Sequence, residues 1–261
     1  MNLKKKSKAE NRRRINALLT AGGLHRELLF RLEDCTYEDI PCGSLACKLC
    51  NRDLRIAVVD SAVNCVLQSS SCDWSFLTVI LYKKAFRHSH LFDFDIKATK
   101  KWFGRLLRDC GFRGPIWGMI EFDYHIYAEK WLPHYHVVLR RSQCNQRAYQ
   151  RLMESRALKL SEEFLEGVRN QPLCNKLLKR ADTVRVLSYT HKLYGKEYIL
   201  NLNPESSRNK IERDLKGQLL ADYLLFLDAH HYSELRFICG VTDKWAGLKT
   251  DYNHRRLYHD V

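Results

Sequence analysis

At 261 residues the chain has room for one large domain, or one domain with a small appendage, and is too short for a nuclease joined to a helicase motor. Its 45% hydrophobic and 28% charged residues exclude wholesale disorder, and 44 Lys+Arg against 30 Asp+Glu leave a net charge of +14 that favours phosphate-rich partners, nucleic acid first. There are ten cysteines, and no apolar signal-peptide core follows Met1, since Lys4, Lys5 and Lys6 come at once. A reducing, cytoplasmic compartment is therefore expected, in which metal ligation competes with disulfides. No run of 18 apolar residues occurs, so no membrane partner is expected.

In chain order, residues 1–14 hold seven basic side chains against Glu10 and read as a solvated basic arm. A short helix is expected over Leu24–Leu32, then a cysteine-dense stretch with Cys35, Cys42, Cys47 and Cys50. Apolar residues at helical spacing predict a packed helix over Arg52–Leu67. The β-branched and aromatic run Trp74–Tyr82 predicts a central strand. A loop through His88–Asp93 follows, then a helix capped by Asp95 and ended by Gly111. Ile116–Ile126 and Leu132–Leu139 read as an antiparallel hairpin across the turn Tyr127–Lys130. Beyond it the pattern predicts a helix over Asn145–Val168, a strand over Thr183–Leu187, and a helix from Ser188 to Leu200. A helix over Ile211–Ala229 and a strand over Leu235–Cys239 close the series. The class is α+β, with an antiparallel central sheet and flanking helices.

The first chemical constellation is His134-Tyr135-His136. On a strand, residues two apart share a face, so both imidazoles can meet one metal ion while Tyr135 points away. With 11 histidines about 0.5 such triplets arise by chance, and His88-Ser89-His90 is a second copy, read as surface loop. The strand context distinguishes the first, because buried histidines need a partner. A third ligand is expected on the other hairpin strand, where Glu121 is a carboxylate inside an apolar run and Asp123 and His125 share its face. Two imidazoles and one carboxylate leave positions open, which suits Lewis-acid catalysis better than a closed structural site.

The second constellation is Tyr189-Thr-His-Lys192. Positions three apart share a helix face, so the phenol of Tyr189 and the ammonium of Lys192 can address one reacting centre. Tyr194 and Tyr198, one helical turn apart, compete for the same role. The third is the cysteine set, in which Cys47-x2-Cys50 forms a knuckle that Cys35 and Cys42 complete as a four-thiolate zinc site; His25 is an alternative to Cys35.

Phe76-Leu-Thr-Val-Ile80, Glu121 with Pro133-His-Tyr-His-Val-Val-Leu139, and Tyr189-Thr-His-Lys192 come in an order that resembles the motifs of the HUH endonucleases, named for His-hydrophobic-His. The similarity is greater to the rolling-circle replication initiators of bacterial plasmids and their transposase relatives, which also carry an N-terminal cysteine cluster. It covers roughly Cys35 to Gly240. The resemblance implies a ferredoxin-like nuclease fold over residues 71–261, preceded by a zinc-binding segment and linking helix over 31–70 and an arm with a short helix over 1–30. It implies a catalytic Mg²⁺ or Mn²⁺ held by His134, His136 and Glu121, attack by Tyr189 on single-stranded origin DNA to leave a 5′-phosphotyrosine link, and assistance by Lys192. Leu193, four residues after Tyr189, implies a single-tyrosine enzyme. A helicase and a polymerase would come from the host. Phosphate contacts are expected from Lys4, Lys5, Lys6, Arg12, Arg13 and Arg14 and from a basic, aromatic C-terminal segment with Arg255 and Arg256. The alternatives are a transposase or relaxase of the same superfamily, or a non-catalytic zinc-containing nucleic-acid-binding regulator.

Overall fold

The computed structural model describes residues 3–22, 25–67, 73–159, 172–200 and 210–241. Those up to Val58 and those of Leu215–Glu234 form one unit; those from Val59 to Asp214 and from Leu235 onward form another. The first unit contains helices α1 (Leu3–Thr20), α2 (Arg26–Glu33) and α7 (Gly217–Asp228), and the short α8 (Tyr232–Leu235) begins in it. Helix α3 (Lys48–Leu67) contributes residues to both.

The expected solvated arm is instead helix α1. A run of like charges forms a helix here because it is neutralised locally. Glu10 binds Arg13 at 2.8 Å and Arg14 at 3.2 Å, and Asp39 binds Lys4 at 3.1 Å and Lys8 at 2.9 Å. One face of α1 is buried through Asn11, Arg14, Ile15 and Leu18, and the guanidinium of Arg14 donates to the Ala46 carbonyl at 2.5 Å. A buried charge is tolerable only with such partners.

The second unit is built on an eight-stranded sheet with the path β5-β1-β4-β3-β6-β7, to which β2 and β8 add. Its strands are β1 (Trp74–Ile80), β2 (Phe86–Arg87), β3 (Ile116–His125), β4 (Lys130–Arg140), β5 (Leu173–Leu177), β6 (Lys196–Leu200), β7 (Lys210–Asp214) and β8 (Arg236–Cys239). Strand β1 lies between β4 and β5, and its side chains are buried along most of its length, in keeping with a run of so little polarity. Strands β3 and β4 form the expected hairpin, with Glu129 in the left-handed region (φ 51°) closing the turn. Both are long, and each divides its outer edge between two partners. Strand β3 pairs with β8 over Ile116–Met119 and with β6 at Tyr124 and His125; β4 pairs with β1 over His134–Arg140 and with β2 at Lys130 and Trp131.

The β3–β6 pairing is parallel, so the sheet is mixed and not purely antiparallel as expected. The cause lies upstream. Thr183–Leu187, read as a strand, belongs to helix α6 (Thr183–Thr190), and Lys196–Leu200, read as helix, is strand β6. Leu193 takes a positive φ of 42°, which ends the helical run and turns the chain alongside β3 in the same direction. Likewise the helix expected over Ile211–Ala229 is β7 followed by α7, because Lys-Ile-Glu-Arg-Asp pairs antiparallel with β6. Pairing here overrides weak local propensity.

Helix α4 (Ile96–Asp109) is capped as expected by Asp95, whose Oδ1 accepts from Ala98 N at 2.7 Å. Helix α5 (Gln143–Glu154) starts at its Ser142 cap and stops at Glu154, where Ser155 is extended. The rest of the helix expected to Val168 lies outside the described residues from 160 on. Phe103 of α4 stacks on Tyr135 with ring centroids 4.0 Å apart and 3° between planes, so α4 covers the sheet face opposite His134 and His136. Phe237 completes that apolar layer. No described helix is long and apolar enough to cross a membrane.

Gly118 sits on β3 where the β4 backbone passes closest. A Cβ there would collide with the carbonyl oxygen of His136 and crowd Val137 Cα. Gly118→Ala is expected to destabilise the protein by about 1–3 kcal/mol, the usual cost of overpacking, measured by urea unfolding with an unchanged m-value.

Candidate functional site

The cross-strand register assembles the site. In the β3–β4 hairpin Glu121 pairs with His134 and Met119 with His136, and across β1 Thr78 pairs with His136. Directly opposed residues share a face, so Glu121, His134 and His136 converge while Tyr135 faces away, as expected. Their ligand atoms all lie within 4.8 Å of one another. Oε2 of Glu121 is 3.7 Å from Nε2 of His134 and 3.7 Å from Nε2 of His136. Glu121 is wholly buried, and neither its two oxygens nor Nε2 of His136 has a hydrogen-bond partner. Three donor side chains converging on one point in this way could hold a metal ion.

The far side of each imidazole is held. Nδ1 of His134 faces the Leu132 carbonyl at 3.4 Å, which can only accept, so that nitrogen carries a proton. Nδ1 of His136 is 2.9 Å from the Thr78 hydroxyl, and Phe76 stacks on the His136 ring at 5.4 Å. These contacts leave the Nε2 atoms to the converging point. Neither Thr78 nor Phe76 was given a role by the motif reading; the two-residue alternation of β1 places both on the site face.

Burial alone would raise the Glu121 carboxyl, but Lys192, His136 and His134 hold it below its ordinary value, so it stays ionised. Burial pushes His136 down to about 3, against the pull of Glu121, and it is therefore neutral. For His134 burial is outweighed by the carboxylates of Asp123 and Glu121, and its pKa is raised. Asp123 lies 3.8 Å from Nε2 of His134, and its Oδ1 accepts from Lys196 N at 2.9 Å. His125, on the same strand face, turns to Tyr127 Oη at 3.0 Å and stacks on Tyr198 instead. An anionic carboxylate and two imidazole nitrogens fit a divalent ion.

Tyr189 is the penultimate residue of α6, not the opening of a helix as expected, and Lys192 follows the helix end. Their spacing of three still brings them together, because the chain continues with i to i+3 hydrogen bonds through Lys192 N to the Tyr189 carbonyl. Nζ of Lys192 donates to Tyr189 Oη at 3.2 Å, and its ammonium lies 3.3 Å from Glu121 Oε2. Lys192 thus bridges the carboxylate and the phenol. The Tyr189 ring meets His136 edge-on at 4.9 Å and is 44% exposed, so it is no core residue. Burial raises its pKa and Lys192 opposes that rise. The rival pair is separated: Lys196 sits over the Tyr194 ring, while Tyr198 is on strand β6 with its hydroxyl donating to Glu212 at 3.3 Å. Helical spacing does not apply to them.

Cys35, Cys42, Cys47 and Cys50 come together in the first unit and could hold a zinc ion; His25 caps α2 and stands outside the group. Sulfur atoms are 3.4 Å apart for Cys47–Cys35, 3.7 Å for Cys35–Cys50 and 3.8 Å for Cys42–Cys50. Hydrogen bonds among the thiols hold Cys47 well below and Cys35 below the ordinary value, while Cys42 and Cys50 rise. The buried amide of Asn11, on α1, donates to Cys47 Sγ and Thr36 Oγ1, both at 3.1 Å, and accepts from Lys48 N at 2.6 Å. Asn11 had no motif to announce it. His88, in the second H-x-H triplet, accepts from Trp131 Nε1 at 3.1 Å and joins no metal group among the described residues.

Of the basic residues expected to meet phosphate, Lys5, Lys6 and Arg12 are exposed on α1. Lys4, Arg13 and Arg14 are engaged within the unit, Arg13 also donating to the Leu215 carbonyl at 2.7 Å. Arg255 and Arg256 lie outside the described residues. No protein-family model, no curated protein and no solved structure matches the chain.

Two outcomes follow for metal binding. Thr78→Val removes the support of His136 and is expected to weaken Mn²⁺ binding about 10- to 100-fold by calorimetry, with an unchanged circular dichroism spectrum. A metal must displace the proton that the raised pKa of His134 retains, whereas His136 and Glu121 have none to lose. Mn²⁺ affinity is therefore expected to rise with pH above the ordinary histidine range, by up to about tenfold per unit, and to level off once His134 is neutral. Proton release counted in buffers of different ionisation enthalpy checks the sign.

Proposed function

We propose that this chain is a metal-dependent single-strand DNA endonuclease of the HUH kind, acting as a rolling-circle replication initiator through a tyrosine nucleophile. What carries the reading is one juxtaposition. A buried Glu-His-His donor set lies beside a half-exposed tyrosine, and one lysine joins the two, its ammonium 3.3 Å from the Glu121 carboxylate and 3.2 Å from the Tyr189 hydroxyl. Mixed sheet and flanking helices are compatible with the ferredoxin-like nuclease core that the motif order implies.

In this reading Glu121, His134 and His136 hold a divalent ion, Mg²⁺ or Mn²⁺. Such an ion supplies Lewis-acid polarisation of the scissile phosphate and neutralises charge that builds on it. The chain's own residues do the rest. Lys192 keeps the Tyr189 oxygen oriented and lowers the cost of the phenolate, countering the effect of burial. Tyr189 Oη loses its proton to water, which its exposure permits, and forms the bond to phosphorus as the bond to the 3′ oxygen breaks. The departing oxygen takes up a proton and becomes the free 3′-hydroxyl. Phe76 and His136 wall the ring of Tyr189 and restrict its approach.

The test uses a 3′-labelled pool of randomised single-stranded oligonucleotides with Mn²⁺. The expected product is a labelled protein adduct that survives denaturation, because the 3′ fragment carries the phosphotyrosine. Tyr189→Phe is expected to reduce the adduct by at least about 100-fold, and His136→Ala likewise, while Tyr194→Phe and Tyr198→Phe retain it. An adduct undiminished in Tyr189→Phe sinks the proposal.

A further inference from the structure

Helix α4 covers the sheet face opposite the Glu-His-His group, and its inner side is apolar: Ile96, Phe103 and Leu107 are buried. Its outer side is different. Lys97, Lys101, Arg105 and Arg108 are all exposed and follow one another at spacings of four, four and three. At 100° per residue they fall within an arc of about 80°, a single stripe along the helix. Among the described residues none of the four makes an ion pair or a side-chain hydrogen bond. Asp95, the nearest acid before them, is used as the helix cap, and Asp109 stands at the far end without engaging Arg105. This contrasts with α1, where Glu10 and Asp39 neutralise the helix's own cations.

A row of unneutralised like charges at these spacings destabilises an isolated helix by a few tenths of a kcal/mol per pair, and Lys97 in the first turn also opposes the helix dipole. The row spans about 16 Å, long enough to reach a few consecutive phosphates of one duplex strand. No large exposed hydrophobic side chain lies on α4, and its one tryptophan, Trp102, is half-buried beneath the Lys84 ammonium, 5.5 Å from the ring centre. A single strand needs stacking platforms and a membrane surface needs apolar side chains to insert; the stripe offers neither. A straight, rigid row of cations suits a regular array of phosphates.

We infer that the outer face of α4 is a docking surface for the phosphate backbone of duplex nucleic acid, on the opposite face of the sheet from the Glu-His-His group. It reads no sequence, since its contacts are to backbone charge alone. The inference does not rest on Tyr189 being a nucleophile: duplex binding here stands or falls apart from cleavage on the other face.

The test is the salt dependence of binding by the full chain to a fluorescently labelled 20-base-pair duplex. In the variant Lys97→Gln, Lys101→Gln, Arg105→Gln, Arg108→Gln the slope of log Kobs against log[KCl] is expected to become shallower by about 3 to 4, following the released counterions, and affinity at 0.15 M salt to fall at least tenfold. A charge-preserving variant, with lysine and arginine exchanged at the same four positions, is expected to keep the wild-type slope, which separates lost charge from lost fold. An unchanged slope in the glutamine variant overturns the inference. So does a loss confined to a single-stranded oligonucleotide, or one confined to anionic phosphatidylserine vesicles with duplex binding intact.

Discussion

A carboxylate buried on a strand between two others has no water to solvate it, and Glu121 survives there only because positive or proton-bearing groups surround it. The register of β3 against β4 supplies His134 directly opposite, β1 brings the hydroxyl that holds His136, and the turn after α6 delivers Lys192. Burial pushes the Glu121 carboxyl up, and Lys192, His136 and His134 together hold it below its ordinary value. The charge therefore ties together four separately coded pieces of chain. It also explains why the site is specified so closely by pairing: a one-residue slip of the hairpin would carry both histidines to the apolar face against Phe103.

The same logic recurs in smaller form around the cysteines. Asn11 is as deeply buried as Glu121 and satisfies its amide on two segments, at Thr36 and at the adjacent Cys47 and Lys48. Helix α1 is thereby anchored by polar contacts from its middle as well as by its buried Ile15, Ala17 and Leu18.

How much of this was legible in the residues depended on whether the signal was local. The hairpin, the capped helix α4 and the convergence of Glu121 with the two histidines follow from a period of two and a turn, and they are where the pattern puts them. The cysteine group follows from spacing. The segment from Thr183 to Asp214 was misread because nothing local decides it: Thr-Val-Arg-Val-Leu has strand-forming residues yet makes α6, and Lys-Glu-Tyr-Ile-Leu looks helical until β3 and β7 pair with it. Tyr189 and Lys192 were correctly brought together for a partly wrong reason, since three residues span one turn whether a helix begins there or ends. Phe76 and Thr78 stand in the Phe76–Ile80 motif without a role of their own, and Asn11 carries no motif; what each touches becomes visible only when another segment is laid beside it.

Strand β6 joins the rest of the sheet through only two residue pairs with β3, at Tyr124 and His125. The Glu-His-His group, by contrast, sits within ten continuous hairpin pairs further braced by β1. The Tyr189 phenol is not part of that hairpin: it stands on α6, which packs through its buried Thr183, Leu187 and Thr190. The Glu-His-His group and the phenol therefore belong to separate elements, and a substitution that disturbs α6 can displace the tyrosine while the hairpin keeps the three side chains together.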